Sequence, residues 1–290
     1  MLPIRIIVFL TYVFFSFISY SLWANAEIPH PPLRIGITSV ILDEQIEVLN
    51  SWRDYLQHHL RRSIQFVQRD SYGKITSHLL QGELDFGWIC GYPYVQHQNS
   101  LKLVAIPIYL GKPQYMSYLI VHKDDHNTQG IQDLNNAVFA YSDPDSNSGY
   151  LYAQYLLKNI GKSDREFFKK SFFTWEHRNT VEAVAVGLAQ AGVVDSYIWD
   201  TMDKQGSILT KNTRIAHKSK AFAFPPIVAG SRISQDLIAN MQRTLLSMRD
   251  NEQGRHLLNK LNLDGFTTGN DSLYHDIRHM AEAVRRFEEP

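Results

Sequence analysis

Ser146-Asn147-Ser148-Gly149 sets two hydroxyls, a carboxamide and a glycine in a row, behind the apolar run Phe139 to Tyr141 and at the head of a helical pattern from Gly149 to Ile160. The first amides of a helix have no partner inside it, and the helix dipole places partial positive charge there. Small hydroxyl residues at such a start favour a phosphate-like anion. The same residues also make an ordinary helix N-cap, and the segment by itself does not separate the two readings.

Three further clusters fall at the carboxyl ends of expected strands. Asp85 to Val95 (DFGWICGYPYV) runs through Gly91 and Pro93 into a helix and leaves Tyr92 and Tyr94 near the strand end. The Tyr94 hydroxyl can donate to an anion, or its ring can pack an interlobe wall; Trp88 is expected in the core. Thr38-Ser39 offers hydroxyls either to a ligand or to turn and cap chemistry, with Asp43 as a helix N-cap. In Trp175-Glu176-His177-Arg178-Asn179, His177 can donate from a ring nitrogen or serve as a satisfied structural residue. Arg178 can fork onto oxyanion oxygens or pair with Glu182 four residues on. Asp195-Ser196 ends a strand. A carboxylate there assists an anion only by orienting a donor or meeting an ammonium on the same ligand, and otherwise caps the next helix.

Catalytic readings find little support. The spacing of Cys90 and His177 does not mark a nucleophile and its base, and the chain lacks an H-E-x-x-H pair, a G-x-x-x-x-G-K-[ST] loop and a G-x-S-x-G elbow. No cofactor and no metal are expected. With 29 basic and 29 acidic residues and no basic block, a nucleic-acid partner is not expected either. An anion must then be held by local geometry.

The elements that position these clusters follow a strand-helix rhythm. Leu33 to Thr38 reads as a strand, and Ile46, Leu49, Trp52, Leu56 and Leu60 recur at helical spacing. Ile64 to Arg69, a helix from Tyr72 to Leu80, and Leu84 to Ile89 continue the alternation that a parallel sheet requires. Strands at Leu103 to Ile108 and Met116 to His122 lead to a polar passage, His122 to Gly130. A second series follows: strand Ala137 to Tyr141, helix Gly149 to Ile160, strand Phe172 to Trp175, helix Thr180 to Leu188 and strand Gly192 to Ser196. Phe222 to Val228 reads as a return crossing, followed by a helix from Ser234 to Met248 and two more.

At the amino terminus, Ile6 to Trp23 is almost wholly apolar behind Arg5, and Ala24-Asn25-Ala26 supplies small residues for cleavage, so residues 1–26 read as a signal peptide cut after Ala26. An uncleaved anchor is the alternative. Export with the single Cys90 leaves no intramolecular disulfide, and the fold must rest on its core. The architecture expected is α/β in two lobes, residues 27–120 with 225–290 forming the first and 121–224 the second, each a mainly parallel sheet flanked by helices. The ligand cleft lies between them, where strand ends and helix N-termini converge.

Three segments carry a resemblance: Leu84 to Val95, Asp143 to Leu151 (DPDSNSGYL), and His177 followed by the Ala-Val-x-x-Gly pattern and Asp195. The chain resembles the periplasmic substrate-binding proteins of phosphate, phosphite and phosphonate ABC importers, a branch of the two-lobed type II binding proteins. The resemblance implies that Tyr94, the Ser146-Asn147-Ser148-Gly149 start and His177 contact the phosphonate group, with Ser39 reaching from the first lobe. Asn147 stands where that family commonly shows Thr, and Arg178 where an acidic or small residue is usual. An added Arg suits a larger or more highly charged anion. The implied function is capture of a small oxyanion by a monomer in the periplasm for an ABC permease. The same closing lobes could instead report ligand to a membrane sensor kinase or diguanylate cyclase, and an enzyme on this fold is the third reading.

Overall fold

The computed structural model describes residues 31–38 and 46–288. The signal-peptide segment, Ser39 and Asp43 lie outside the described residues.

The first sheet has strand order β13-β4-β12-β3-β1-β2, built from β1 (Leu33–Ile37), β2 (Ile64–Gln68), β3 (Phe86–Trp88), β4 (Leu101–Ile108), β12 (Ile227–Gly230) and β13 (Gly265–Thr267). Helices α1 (Ile46–Leu60) and α2 (Tyr72–Gln81) carry the chain between β1, β2 and β3, which therefore pair in parallel. β12 returns from the second sheet and inserts antiparallel between β3 and β4, and β13 adds antiparallel to β4. The pairing is thus mixed where a mainly parallel sheet was expected. The helical connections fix only part of it.

The second sheet follows the order β10-β6-β9-β7-β8, from β6 (Ser117–His122), β7 (Val138–Tyr141), β8 (Lys170–Phe173), β9 (Ala191–Asp195) and β10 (Thr213–Lys218). It too is mixed. β7 is parallel to β8 and β9, while β6 is antiparallel to β9 and β10. β6 belongs to this sheet along its whole length, so the expected division after residue 120 falls inside a strand. The two crossings between the sheets pair with each other as a short antiparallel ribbon, β5 (Gln114–Tyr115) against β11 (Phe222–Ala223), in register Tyr115 to Phe222.

The core of the first sheet includes Trp88, fully buried, edge-on to Trp52 at 5.9 Å. That of the second centres on Phe139, stacked on Phe168 at 4.4 Å. The strand expected to reach Trp175 stops at Phe173; Trp175 has φ +69°, outside the β region, and its side chain is half exposed. Among the described residues, no helix is long and apolar enough to cross a membrane.

Candidate functional site

The segment after β7 is not an α-helix at its start. Asn147–Leu151 forms a π-helical turn, and the α-helix, α4 (Tyr152–Asn159; α3 is Gly91–His97 after β3), begins only beyond it. Leu151 N donates to Ser146 O at 3.0 Å, Tyr152 N donates to Asn147 O, and Ser142 N donates to Gly149 O at 3.1 Å, which pins the turn to the end of the strand. A π turn is wider than an α turn and recurs at functional sites. Ser146 Oγ accepts from Gly149 N at 2.9 Å, so this serine does cap the turn. Gly149 answers a steric demand as well: a Cβ there would lie 1.7 Å from Ser142 Oγ and 2.9 Å from His177 Cε1.

The turn is clasped by groups from the first sheet and the crossing. Asn147 N donates to Cys90 Sγ at 3.2 Å, and Asn147 Nδ2 donates to the Tyr115 hydroxyl at 2.9 Å. Beside it, Tyr72 N, at the start of α2, donates to Asp143 Oδ2 at 3.0 Å. Ser117 Oγ on β6 donates to Ser148 O at 2.7 Å. Ser146, Asn147 and Ser148 are fully buried, yet Ser142 Oγ, Asn147 Oδ1 and Ser148 Oγ have no hydrogen-bond partner. Ser148 Oγ lies beside the Tyr115 phenol without a well-formed bond to it. Three orphaned polar atoms, two in the turn and one at the strand end beside it, are unusual, because each buried unsatisfied group costs about 1–3 kcal/mol.

His177 opens helix α6 (His177–Ala185; α5 is Asp164–Phe167) with its ring buried beside the turn and 6.5 Å, centroid to centroid, from that of Tyr72. Its Nδ1 accepts the Asp195 amide at 3.1 Å, which leaves the ring proton on Nε2 and makes that nitrogen a donor. Burial lowers its pKa to about 3, so it is a neutral donor at pH 7. Asp195 caps helix α7 (Ser196–Lys204) by accepting from Tyr197 N at 2.8 Å. Burial raises its carboxyl to about 8, so it is mostly uncharged at neutral pH. Asp143 is raised to about 6 by the same cause. Burial likewise keeps the Cys90 thiol protonated, at about 11.

The structure therefore gathers Ser146, Asn147, Ser148, Gly149, His177 and Asp195 in one place. Arg178 is half-buried at the second position of α6. Tyr94 is elsewhere engaged: its hydroxyl donates to Asp271 and its ring packs edge-on to Tyr274 at 4.8 Å. The phenol at the turn is Tyr115, which the sequence reading did not single out. Its one sequence signal is its place just ahead of the strand Met116 to His122, where the chain changes sheets. Thr38 is buried and donates to Trp88 O at 3.0 Å, a bond within the first sheet. A surface hollow of about 610 Å³, lined by Tyr141, Tyr150, Phe173 and Val284 among others, contains none of the orphaned atoms.

The family described as "ABC transporter, phosphonate, periplasmic substrate-binding protein" matches residues 35–274. The Phosphate-import protein PhnD of Mycolicibacterium smegmatis is 23% identical over 199 residues, 64% of this chain and 62% of that protein, so the match spans less than two thirds of that relative. The Probable ABC transporter phosphite binding protein PhnD1 of Prochlorococcus marinus is 22% identical over 94% of this chain and 95% of its own length. The crystal structure of that protein with methylphosphonate superposes with a TM-score of 0.78 at 19% identity, over 88% of this chain and 98% of that one. A binding protein component of an ABC phosphonate transporter from Pseudomonas aeruginosa gives 0.82 at 17% identity, covering 89% and 88%. At such identities the superpositions show the fold alone, and it is the two-sheet α/β fold of periplasmic binding proteins. The family match, extending from the first strand to Tyr274 and taking in every residue gathered at the π turn, shows that the chain belongs to the periplasmic substrate-binding proteins of phosphonate ABC transporters.

Proposed function

We propose that this chain captures a phosphonate, phosphite or phosphate between two lobes and delivers it to an ABC permease, after export directed by a signal peptide cleaved behind Ala26. The carrying observation is the trio of orphaned polar atoms, Asn147 Oδ1 and Ser148 Oγ in the π turn and Ser142 Oγ at the strand end beside it, all fully buried. A bound oxyanion supplies acceptors for the two hydroxyls, replacing about 1–3 kcal/mol of unmet hydrogen bonding for each, and for the His177 Nε2 donor. The site needs no cation: His177 is neutral, and amides and hydroxyls at a helix start hold anions by themselves.

In this reading the first sheet and its helices form one lobe, the second sheet the other, and the β5–β11 ribbon is the hinge. The bonds Asn147–Cys90, Asn147–Tyr115 and Tyr72–Asp143 hold the lobes closed and break as they part to admit the ligand. The curated relatives, named for phosphate import and phosphite binding, support the ligand class. Equilibrium dialysis against methylphosphonate, phosphite, phosphate and sulfate tests it. Binding of at least one phosphorus oxyanion is expected, and absence of binding by all of them at about 1 mM, equivalent to about 4 kcal/mol, overturns the reading.

A further inference from the structure

Asn147 presents an acceptor where an oxyanion site would ordinarily present a donor. The side chain is fully buried and its orientation is set by its neighbours: Nδ2 donates to the Tyr115 hydroxyl at 2.9 Å. Oδ1 is thereby turned away from Tyr115 and has no donor. A carboxamide oxygen can only accept. Against a fully deprotonated ligand oxygen it sets lone pair against lone pair in a buried, low-dielectric place. Against a ligand O–H it completes a hydrogen bond.

Resting on the oxyanion-binding reading above, we infer that Asn147 makes the site select an oxyacid that keeps one proton when bound, such as an alkylphosphonate or phosphite monoanion or a hydrogen phosphate, over a sulfonate or sulfate. Phosphonate and sulfonate groups have the same tetrahedral shape, so Ser142, Ser148 and His177, all donors here, accept either. The discrimination resides in Oδ1, because a site that carries a buried acceptor rejects an analogue lacking the matching hydrogen.

Calorimetry of the full chain with methylphosphonate and methanesulfonate, in mildly acidic buffer where the phosphonate is a monoanion, compares ligands of equal charge that differ by that hydrogen. Methylphosphonate is expected to bind at least about tenfold more tightly, the ratio that one unmet buried hydrogen bond produces. In Asn147→Thr, whose hydroxyl can donate or accept, the ratio is expected to fall toward unity. A purely structural role for Asn147 would weaken both ligands and leave the ratio intact. Equal affinities in the wild-type protein overturn the inference and leave the oxyanion site standing; failure of both ligands to bind, with phosphate and phosphite also silent, removes that site and the inference together.

Discussion

The amide of Asn147 donates across the boundary between the two sheets to the sulfur of Cys90, 3.2 Å away. Cys90 follows β3 of the first sheet and Asn147 follows β7 of the second, so this bond exists only while the two are together. The thiol is buried and held protonated. Since the thiolate is the reactive form, alkylation must pass through an open state. Methylphosphonate should therefore slow the reaction of Cys90 with N-ethylmaleimide. A rate indifferent to ligand would show that Cys90 does not report closure.

Ser148→Ala removes one orphaned hydroxyl from the turn. Loss of a charge-assisted hydrogen bond should weaken oxyanion binding by about 1–2 kcal/mol, read by calorimetry. Unchanged affinity would return Ser148 to packing alone.

Gly149→Ala drives a methyl group into Ser142 Oγ and His177 Cε1. Overpacking of this kind costs about 1–3 kcal/mol, and here it also forces the ring and the hydroxyl apart. A lowered Tm and loss of binding are expected together. Ser142→Gly in the same chain should recover part of the Tm, whereas no recovery would place the strain elsewhere.

Stability should depend on pH from two sides. Asp195 has its carboxyl raised from 3.8 to about 8, so its folded form holds a proton that the unfolded chain gives up; its contribution is complete below 3.8 and is lost as pH rises through about 8. His177 is lowered from 6.5 to about 3, so its contribution is present above 6.5 and is lost as pH falls toward 3. Asp195→Asn keeps a capping oxygen but cannot ionise. Its Tm should decline less than that of the wild type as pH rises from neutrality through 8, and parallel profiles would contradict the assignment.

The strand-helix alternation and the hydroxyl-rich turn were legible because they are local: periodicity places β1, α1 and β2, and Ser146 to Gly149 are consecutive. What escaped is set by distant partners. Tyr94 sits at a strand end as a ligand-contacting tyrosine should, but Asp271, 177 positions away, takes its hydroxyl. Tyr115 reaches the turn because β5 pairs with β11, more than a hundred residues on. The π turn also gives no periodic signal, since one shifted hydrogen bond leaves the apolar spacing unchanged. Mixed pairing in the sheets depends on where the return crossing inserts β12, which hydropathy does not record.

A crystal structure of the protein grown with methylphosphonate shows whether the π turn holds the ligand. The phosphonate is expected at the π turn, with its oxygens within hydrogen-bond distance of Ser148 Oγ and His177 Nε2. A phosphonate bound elsewhere, with Ser142 Oγ and Ser148 Oγ still unpartnered, would contradict it.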